Sequence, residues 1–350
     1  MAPPAITGCD RRPGERSLHE QFEDALPHPP WQEMSVVAAV SGGADSVALL
    51  HLLRNHHASA GARSGSLIVA HFDHGQRPES VSTADFVGQL AVAWDLPCKI
   101  ARYGAEARST SVAPASEAQL RRARYRFLRG VAEEAGARYL MLAHTADDQA
   151  ETVLHRILRG TGMRGLAGIP RQRPLGPAVT IFRPLLEVRR GELRMYLATM
   201  GLEFREDPTN QDQRYTRNRI RHTLMPLLQE KFNPQVVGAL GKLSLIARET
   251  QETLEQLAQE VWTESVVAVR GHELILRRKP LHRVPGSIIR EVLARAWREA
   301  EFQEVGMGYA EWSFLARMIQ RGEPRYHQFP GSITGEITSD ALILRRPESH

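Results

Sequence analysis

From residue 35 onward the apolar positions fall into two alternating rhythms. A β-branched run over 35–40 meets paired glycines and then Val47, Leu49, Leu50, Leu52 and Leu53 at helical spacing, which predicts strand, loop and helix in that order. The unit recurs, with strands expected over 67–72, 98–103 and 139–143 and helices over 84–94, 117–135 and from Asp148. Strands alternating with helices at this spacing imply an α/β fold, a parallel twisted sheet with helices on both faces. Ligands of such sheets bind beyond the carboxyl ends of the strands. The turns that follow the strands are therefore where chemistry is to be sought.

After Pro170 the alternation weakens. A helix is expected over about 191–200, then a densely charged stretch over 206–221, then a long helix over 234–262 whose buried stripe would be Leu240, Leu243, Ile246, Leu254 and Leu257. Short strand patterns at 272–276 and 333–344 close the chain, with helices over 288–297 and 312–319 between them. The expected organisation is an N-terminal extension over 1–34 carrying one short helix around Leu18, Phe22 and Leu26, a catalytic domain over 35–228, and a mainly helical part with a small α+β end over 229–350. No internal repeat or low-complexity tract interrupts this plan.

The chain has 350 residues, 42% hydrophobic and 24% charged, more than one compact core usually organises. Its net charge of +5 is compatible with a nucleic-acid partner, although 40 acidic residues require the positive charge to be regional. Cys9 and Cys98 are the only cysteines and belong to no C-x-x-C or Cys/His array, so neither a disulfide framework nor a zinc or iron–sulfur site is expected. A reducing cytoplasm fits that usage. No apolar run reaches the roughly 18 residues that span a bilayer, and the acidic start is unlike a secretory signal.

The hexapeptide Ser41-Gly42-Gly43-Ala44-Asp45-Ser46 lies where the first strand turns into a helix. Adjacent glycines allow close approach to an anion, and the helix behind presents free N–H groups and its positive dipole end. No Gly-Lys-[Ser/Thr] follows, so this is not a Walker A loop. The Ser41 and Ser46 hydroxyls could donate to phosphate, whereas the Asp45 carboxylate would repel it without a divalent cation between them. Asp45 therefore predicts magnesium. The plain alternative is a glycine turn in which Asp45 or Ser46 caps a structural helix.

S-G-G-x-D-S after a first strand resembles the pyrophosphate loop of the N-type ATP pyrophosphatase (PP-loop) superfamily, whose fold is of the adenine nucleotide alpha hydrolase type. The later motifs are similar to one branch of it, the tRNA(Ile)-lysidine synthetases. His71-Phe72-Asp73-His74-Gly75-Gln76-Arg77-Pro78-Glu79-Ser80 matches H-x-D-H-G-x-R-x-x-S. Glu117, Arg121, Arg124 and Tyr125 match E-x-x-x-R-x-x-R-Y, and residues 144–152 match H-x-A-D-D-Q-A-E-T with Thr145 where many relatives carry histidine. Residues 159–168 resemble R-G-x-G-x-x-G-L-x-G, and Glu206-Asp207-Pro208-Thr209-Asn210 with Arg214, Arg217, Asn218, Arg219 and Arg221 resembles the E-D-P-[ST]-N segment and its basic successor.

Each of these segments also has a bland reading. Glu117, Arg121 and Arg124 share a helix face and could be an ion-paired surface; Asp148 and Glu151 have capping-box spacing; Gly160 could end a helix, the arginines at 156, 159 and 164 flanking a linker or equally meeting RNA phosphates; the later arginines could be a solvated face, but following an irregular loop they are expected to grip a folded RNA.

The resemblance implies ATP on residues 41–46 and His71, magnesium on Asp45 and Asp148, and catalytic roles for Asp73, Arg121, Asp148 and Glu151. Arg121 would counter charge on the adenylate or pyrophosphate, while Asp73 or Glu151 would orient or deprotonate an amine. The implied partners are an isoleucine tRNA with a CAU anticodon, L-lysine and ATP, with no membrane; the oligomeric state stays open, a homodimer included. A thiolase of the same superfamily, which generally needs paired cysteines, an amidotransferase and a non-catalytic tRNA-binding protein are the rival readings.

Overall fold

The computed structural model describes residues 16–27, 31–58, 65–75, 80–104, 116–206 and 214–347. Cys9, residues 76–79 of the second motif and residues 207–210 of the E-D-P-[ST]-N segment lie outside them. The chain divides into two compact units, Met1–Ser244 and Leu245–His350.

The first unit is built on a six-stranded sheet. Its strands are β1 (Val36–Ala39), β2 (Leu67–Asp73), β3 (Cys98–Arg102), β4 (Tyr139–Met141), β5 (Gln172–Pro174) and β6 (Thr180–Phe182), in the order β3-β2-β1-β4-β6-β5. All neighbours are parallel except the β5–β6 hairpin. The two-residue period of the strands splits the core in two. Val36, Ala38, Leu67, Val69, Tyr139 and Met141 pack with the apolar side of α2 (Ala44–Ala58), whereas Val37, Ile68, Ala70, Leu140 and Ile181 pack with Leu128, Val131 and Ala132 of α4 (Glu117–Glu134). Helices thus cover both faces, as the alternation of apolar runs requires.

The remaining helices of this unit are α1 (Leu18–Ala25), α3 (Ser80–Ala93), α5 (Ala146–Leu158), α6 (Met163–Leu166), α7 (Arg190–Thr199), α8 (Thr216–Arg219) and α9 (Met225–Lys231), with a π-helical turn at Ile220–Leu224 between the last two. Gly160 ends α5 in the left-handed conformation (φ +72°) and Arg156 donates to the Gly165 and Gly168 carbonyls, so that segment of the glycine-rich stretch is structural. Sequence periodicity misses β5, an exposed Gln-Arg-Pro stretch with no apolar residue but the proline, and β6, the three-residue strand that pairs with it.

The long helix α10 (Val236–Ser265) corrects the expected stripe. Leu243, Ile246 and Leu257 are exposed, Leu240 and Leu254 are half-buried, and the buried positions are Val237, Ser244, Ala247, Gln251, Ala258, Trp262 and Ser265. Hydrogen bonds join apolar contacts in choosing that face. Gln149 Nε2 donates to Ser244 Oγ (2.7 Å), which donates to the Ala167 carbonyl (2.9 Å), and Gln251 Nε2 donates to Glu291 (3.0 Å). Small and polar side chains therefore sit where a leucine count places the core.

The second unit pairs α11 (Gly286–Glu299) and α12 (Tyr309–Arg321) with a five-stranded antiparallel sheet, β7 (Val266–Arg270), β8 (Glu273–Arg277), β9 (Tyr326–Phe329), β10 (Ile333–Ile337) and β11 (Ala341–Arg345), in the order β7-β8-β11-β10-β9. The expected strand over 333–344 is a hairpin, because Asp340 and its neighbours turn the chain. Trp297 is fully buried at its centre, edge-on to Phe302 (5.2 Å), Trp312 (5.4 Å) and Phe329 (6.2 Å). Trp297→Ala is expected to destabilise this unit by about 3–5 kcal/mol. Urea denaturation followed by near-ultraviolet circular dichroism checks it; a loss near zero would show that the aromatic cluster does not hold the unit together.

Candidate functional site

The carboxyl ends of β1, β2 and β4 deliver three polar turns to one edge of the sheet. After β1, Gly42 adopts φ +88°, and a Cβ there would lie 2.8 Å from Thr83 Cγ2, so this position is closed to other residues by both conformation and space. Ser46, buried at the start of α2, stitches the loop. Its Oγ donates to the Gly43 carbonyl (2.8 Å) and accepts from Ser41 N (3.2 Å), so the Ser46 hydroxyl is spent on shape while Ser41 stays exposed. On the far side Arg205 N donates to the Gly42 carbonyl (2.9 Å). The loop is held from both flanks, with Gly43 and Ala44 between them.

At the end of β2, His71 and Asp73 are both buried on one side of the strand, as alternation predicts. His71 Nδ1 lies 2.8 Å from the Val40 carbonyl, and burial lowers its pKa. A neutral imidazole beside a carbonyl must carry its proton on Nδ1, which leaves Nε2 as an acceptor. Asp73 Oδ1 accepts from Gly75 N (2.7 Å) and Oδ2 pairs with Arg102 Nε (3.3 Å).

At the end of β4, α5 is capped by Thr145, whose hydroxyl accepts from Asp148 N while Asp148 Oδ2 accepts from Thr145 N (2.9 Å). The capping box is therefore Thr145 with Asp148, and Glu151 is no cap. Three guanidiniums close over these carboxylates. Asp148 Oδ1 accepts from Arg190 (3.2 Å), Arg217 (3.2 Å) and Arg221 (3.0 Å), and Glu151 from Arg190 (3.3 Å), Arg217 (3.3 Å) and Arg221 (2.7 Å). Burial works to raise the Asp148 pKa, but Arg190, Arg217 and the Thr145 N–H hold it below the ordinary range. Arg217 and Arg221 were expected to face RNA; instead they serve the carboxylates, four residues apart and presented on one side across the π-helical turn.

Arg190 also reaches Asp45, Nε to Oδ2 3.3 Å, and so joins the glycine loop to α5. Asp45 Oδ1 is buried and has no hydrogen-bond partner among the described residues. Burial raises the Asp45 carboxyl to about 6, with Arg190 opposing. An unpartnered buried carboxylate oxygen beside a phosphate-type loop suits a cation. Asp148, by contrast, has both oxygens already engaged, so Asp45 is the better-placed of the two expected magnesium residues.

Arg121 is not among these groups. Its guanidinium lies over the Tyr125 ring (5.1 Å), together with those of Arg124 (5.3 Å) and Arg173 (5.6 Å). Arg190 belongs to none of the sequence motifs. The available signal was two arginines, Arg189 and Arg190, opening helix α7, where the dipole disfavours cations unless carboxylates face them.

The PP-loop domain family matches residues 14–228 of this chain. A tRNA(Ile)-lysidine synthase from Nostoc sp. PCC 7120 is 32% identical over 325 residues, covering 89% of this chain and 92% of that protein. The chain belongs to the tRNA(Ile)-lysidine synthase family. Family members vary in length: the one from Rhodopirellula baltica is 39% identical over 253 residues, with 63% of it covered, and the one from Deinococcus deserti is 37% identical, with 53% of it covered. The chain thus spans from about half to nine-tenths of these synthases. The U34-tRNA thiolase NcsA from Methanococcus maripaludis, solved with its [4Fe-4S] cluster, has the same fold at 16% identity, TM-score 0.53, over 65% of this chain and 77% of that one. That synthase-family membership, and the free Cys98, leave the thiolase reading with the fold alone. Among the described residues no helix is long and apolar enough to cross a membrane.

The raised Asp45 pKa sets a stability test. Below pH 3.8 the carboxyl is protonated folded or unfolded; between 3.8 and about 6 only the unfolded chain releases the proton, and above 6 the folded protein bears the full cost of the buried charge. Asp45→Asn is therefore expected to raise stability by about 1–3 kcal/mol at pH 8 and to leave it unchanged near pH 3.5. Urea midpoints at the two pH values check this; a variant less stable at pH 8 would mean that Asp45 is a structural anion.

Proposed function

We propose that this chain is a tRNA(Ile)-lysidine synthase, an ATP-consuming ligase that converts the wobble cytidine of the CAU-anticodon isoleucine tRNA to lysidine. The observation that carries the reading is the stitched Ser41–Ser46 loop with the unpartnered Asp45 oxygen at its rim, in a chain of this family. ATP would place its phosphates on the loop, and the acceptor left on His71 Nε2 would serve the nucleotide's base.

The cytosine O2 attacks the α-phosphorus and the bond to pyrophosphate breaks. The lysine ε-amine, having lost its proton, then adds at C2 and AMP leaves with the oxygen. Asp45 would hold magnesium, which when bound offsets the negative charge of the phosphates. Asp148, its pKa depressed, is a poor base and acts electrostatically; with Glu151 it offers the incoming ammonium a place now filled by arginine side chains. Asp73, at the neighbouring strand end, orients the amine. The splayed nucleotides of an anticodon loop suit a site that must take a base unpaired. The setting is the cytoplasm, where Cys98 stays reduced.

Incubation with isoleucine tRNA transcript, ATP, magnesium and each amino acid labelled in turn is expected to incorporate lysine alone, in an ATP-dependent manner. Asp45→Ala and Glu151→Gln should lower the rate at least a hundredfold with tRNA binding retained. Incorporation of no amino acid by the unaltered protein would overturn the function.

A further inference from the structure

The first unit contains two arginine clusters of opposite character. In the one on α5, Arg190, Arg217 and Arg221 face Asp45, Asp148 and Glu151, and charge is matched by charge. In the other, Arg121 and Arg124 of α4 and Arg173 of β5 lie 5.1–5.6 Å from the Tyr125 ring centre, and Arg183, buried just after β6, completes the set. None of these four is within ion-pair distance of a carboxylate among the described residues.

Arg183 is aimed by neutral groups. Its Nε donates to His144 Nδ1 (3.0 Å) and Nη1 to the Pro170 carbonyl (2.7 Å). His144 is itself uncharged at neutral pH, its pKa brought down to about 4, chiefly by burial. The aromatic face attracts cations and keeps the guanidiniums fanned apart, yet it cancels no charge. Arg124 Nε and the Tyr125 hydroxyl are buried with no hydrogen bond of good geometry. The positive field is strong enough to lower the Tyr125 pKa although burial works the other way. Gathering like charges around one ring is costly in the free protein, and the cost is recovered only when an anion with several acceptor oxygens arrives.

We infer that Arg121, Arg124, Arg173 and Arg183 around Tyr125 form a phosphate subsite that grips a backbone phosphodiester of the RNA substrate, separate from the loop that takes the nucleotide. The inference rests on the proposed action on tRNA. It reassigns Arg121 from the adenylate to the RNA, and it deepens that function by naming where the strand beside the reacting nucleotide is held. Planar forked guanidiniums suit phosphodiester oxygens, and Arg183 meets His144 in the turn between β4 and α5, which places the grip beside the reacting end of the sheet.

The test uses the full chain, a transcript of the CAU-anticodon isoleucine tRNA and fluorescence anisotropy across a potassium chloride series, for Arg173→Gln, Arg124→Gln with Arg173→Gln, and Arg124→Lys. Each lost guanidinium should weaken RNA binding several-fold and reduce the slope of log affinity against log salt by about 0.7–0.9. Arg124→Lys should restore most of that slope, and calorimetric ATP affinity should stay within about twofold of the unaltered protein, each variant melting like it. An unchanged RNA slope overturns the subsite. So does a fall in ATP affinity with the slope intact, which would return these arginines to the nucleotide. If the unaltered protein fails to bind the transcript, the proposed function falls and the subsite with it.

Discussion

Charge compensation at the start of α5 is the constraint on which the rest of the first unit depends. Asp148 and Glu151 are buried, and an uncompensated buried carboxylate costs several kcal/mol. Their guanidiniums come from places far apart in the chain: Arg190 from the start of α7, and Arg217 and Arg221 from the helical segment that follows residue 214. These pairs fasten both segments to the carboxyl edge of the sheet. Ala150, Ile220, Met225 and Val237 form a small apolar cluster on the other side of the same attachment. Ion pairs fix the orientation and apolar contact supplies the burial.

The parallel sheet makes such a site economical. Because β1, β2 and β4 run the same way, their carboxyl ends collect at one edge, and three turns separated by about a hundred residues meet without a dedicated scaffold. Each turn spends its polar groups differently. The β1 turn uses Ser46 for internal hydrogen bonds and leaves Asp45 short of a partner; the β2 turn satisfies Asp73 through Gly75 and Arg102; the β4 turn satisfies Asp148 through Thr145 and the arginines. The unsatisfied oxygen is the one beside the glycine loop, where a metal–nucleotide ligand would meet it.

How much of this is legible in sequence follows from how local each cause is. The sheet was legible, because β-branched runs ending at glycine turns fix strand, direction and turn together, and each of the first four strands and its following helix appears within a few residues of its expected place. So were the residues of the three turns. What was hidden rests on partners distant in sequence. Arg217 and Arg221 look like solvated cations until Asp148 and Glu151 are seen beneath them, and Arg190 has no motif at all. The α10 stripe was misread for the same reason: its inward face is chosen in part by Gln149, Ala167 and Glu291, which no helical wheel contains.

The contrast between the two arginine clusters separates structural from functional charge. Where three guanidiniums meet the buried Asp148 and Glu151, and one of them also Asp45, the fold needs both sets of partners, and the interaction is present before any ligand arrives. Where three guanidiniums share one phenol ring, with Arg183 beside them and no carboxylate in ion-pair distance among the described residues, the fold gains little, since cation–π contacts at about 0.5–2 kcal/mol each are offset by mutual repulsion. The burial of Arg183 sharpens this. A buried guanidinium pinned by a neutral histidine and a carbonyl has its pKa lowered chiefly by burial, with Tyr125 opposing and Arg173 and Arg121 adding to the effect. A core that needed only packing would place an apolar side chain there; retention of an aimed, uncompensated cation next to the reacting edge is the signature of a ligand that brings the missing negative charge.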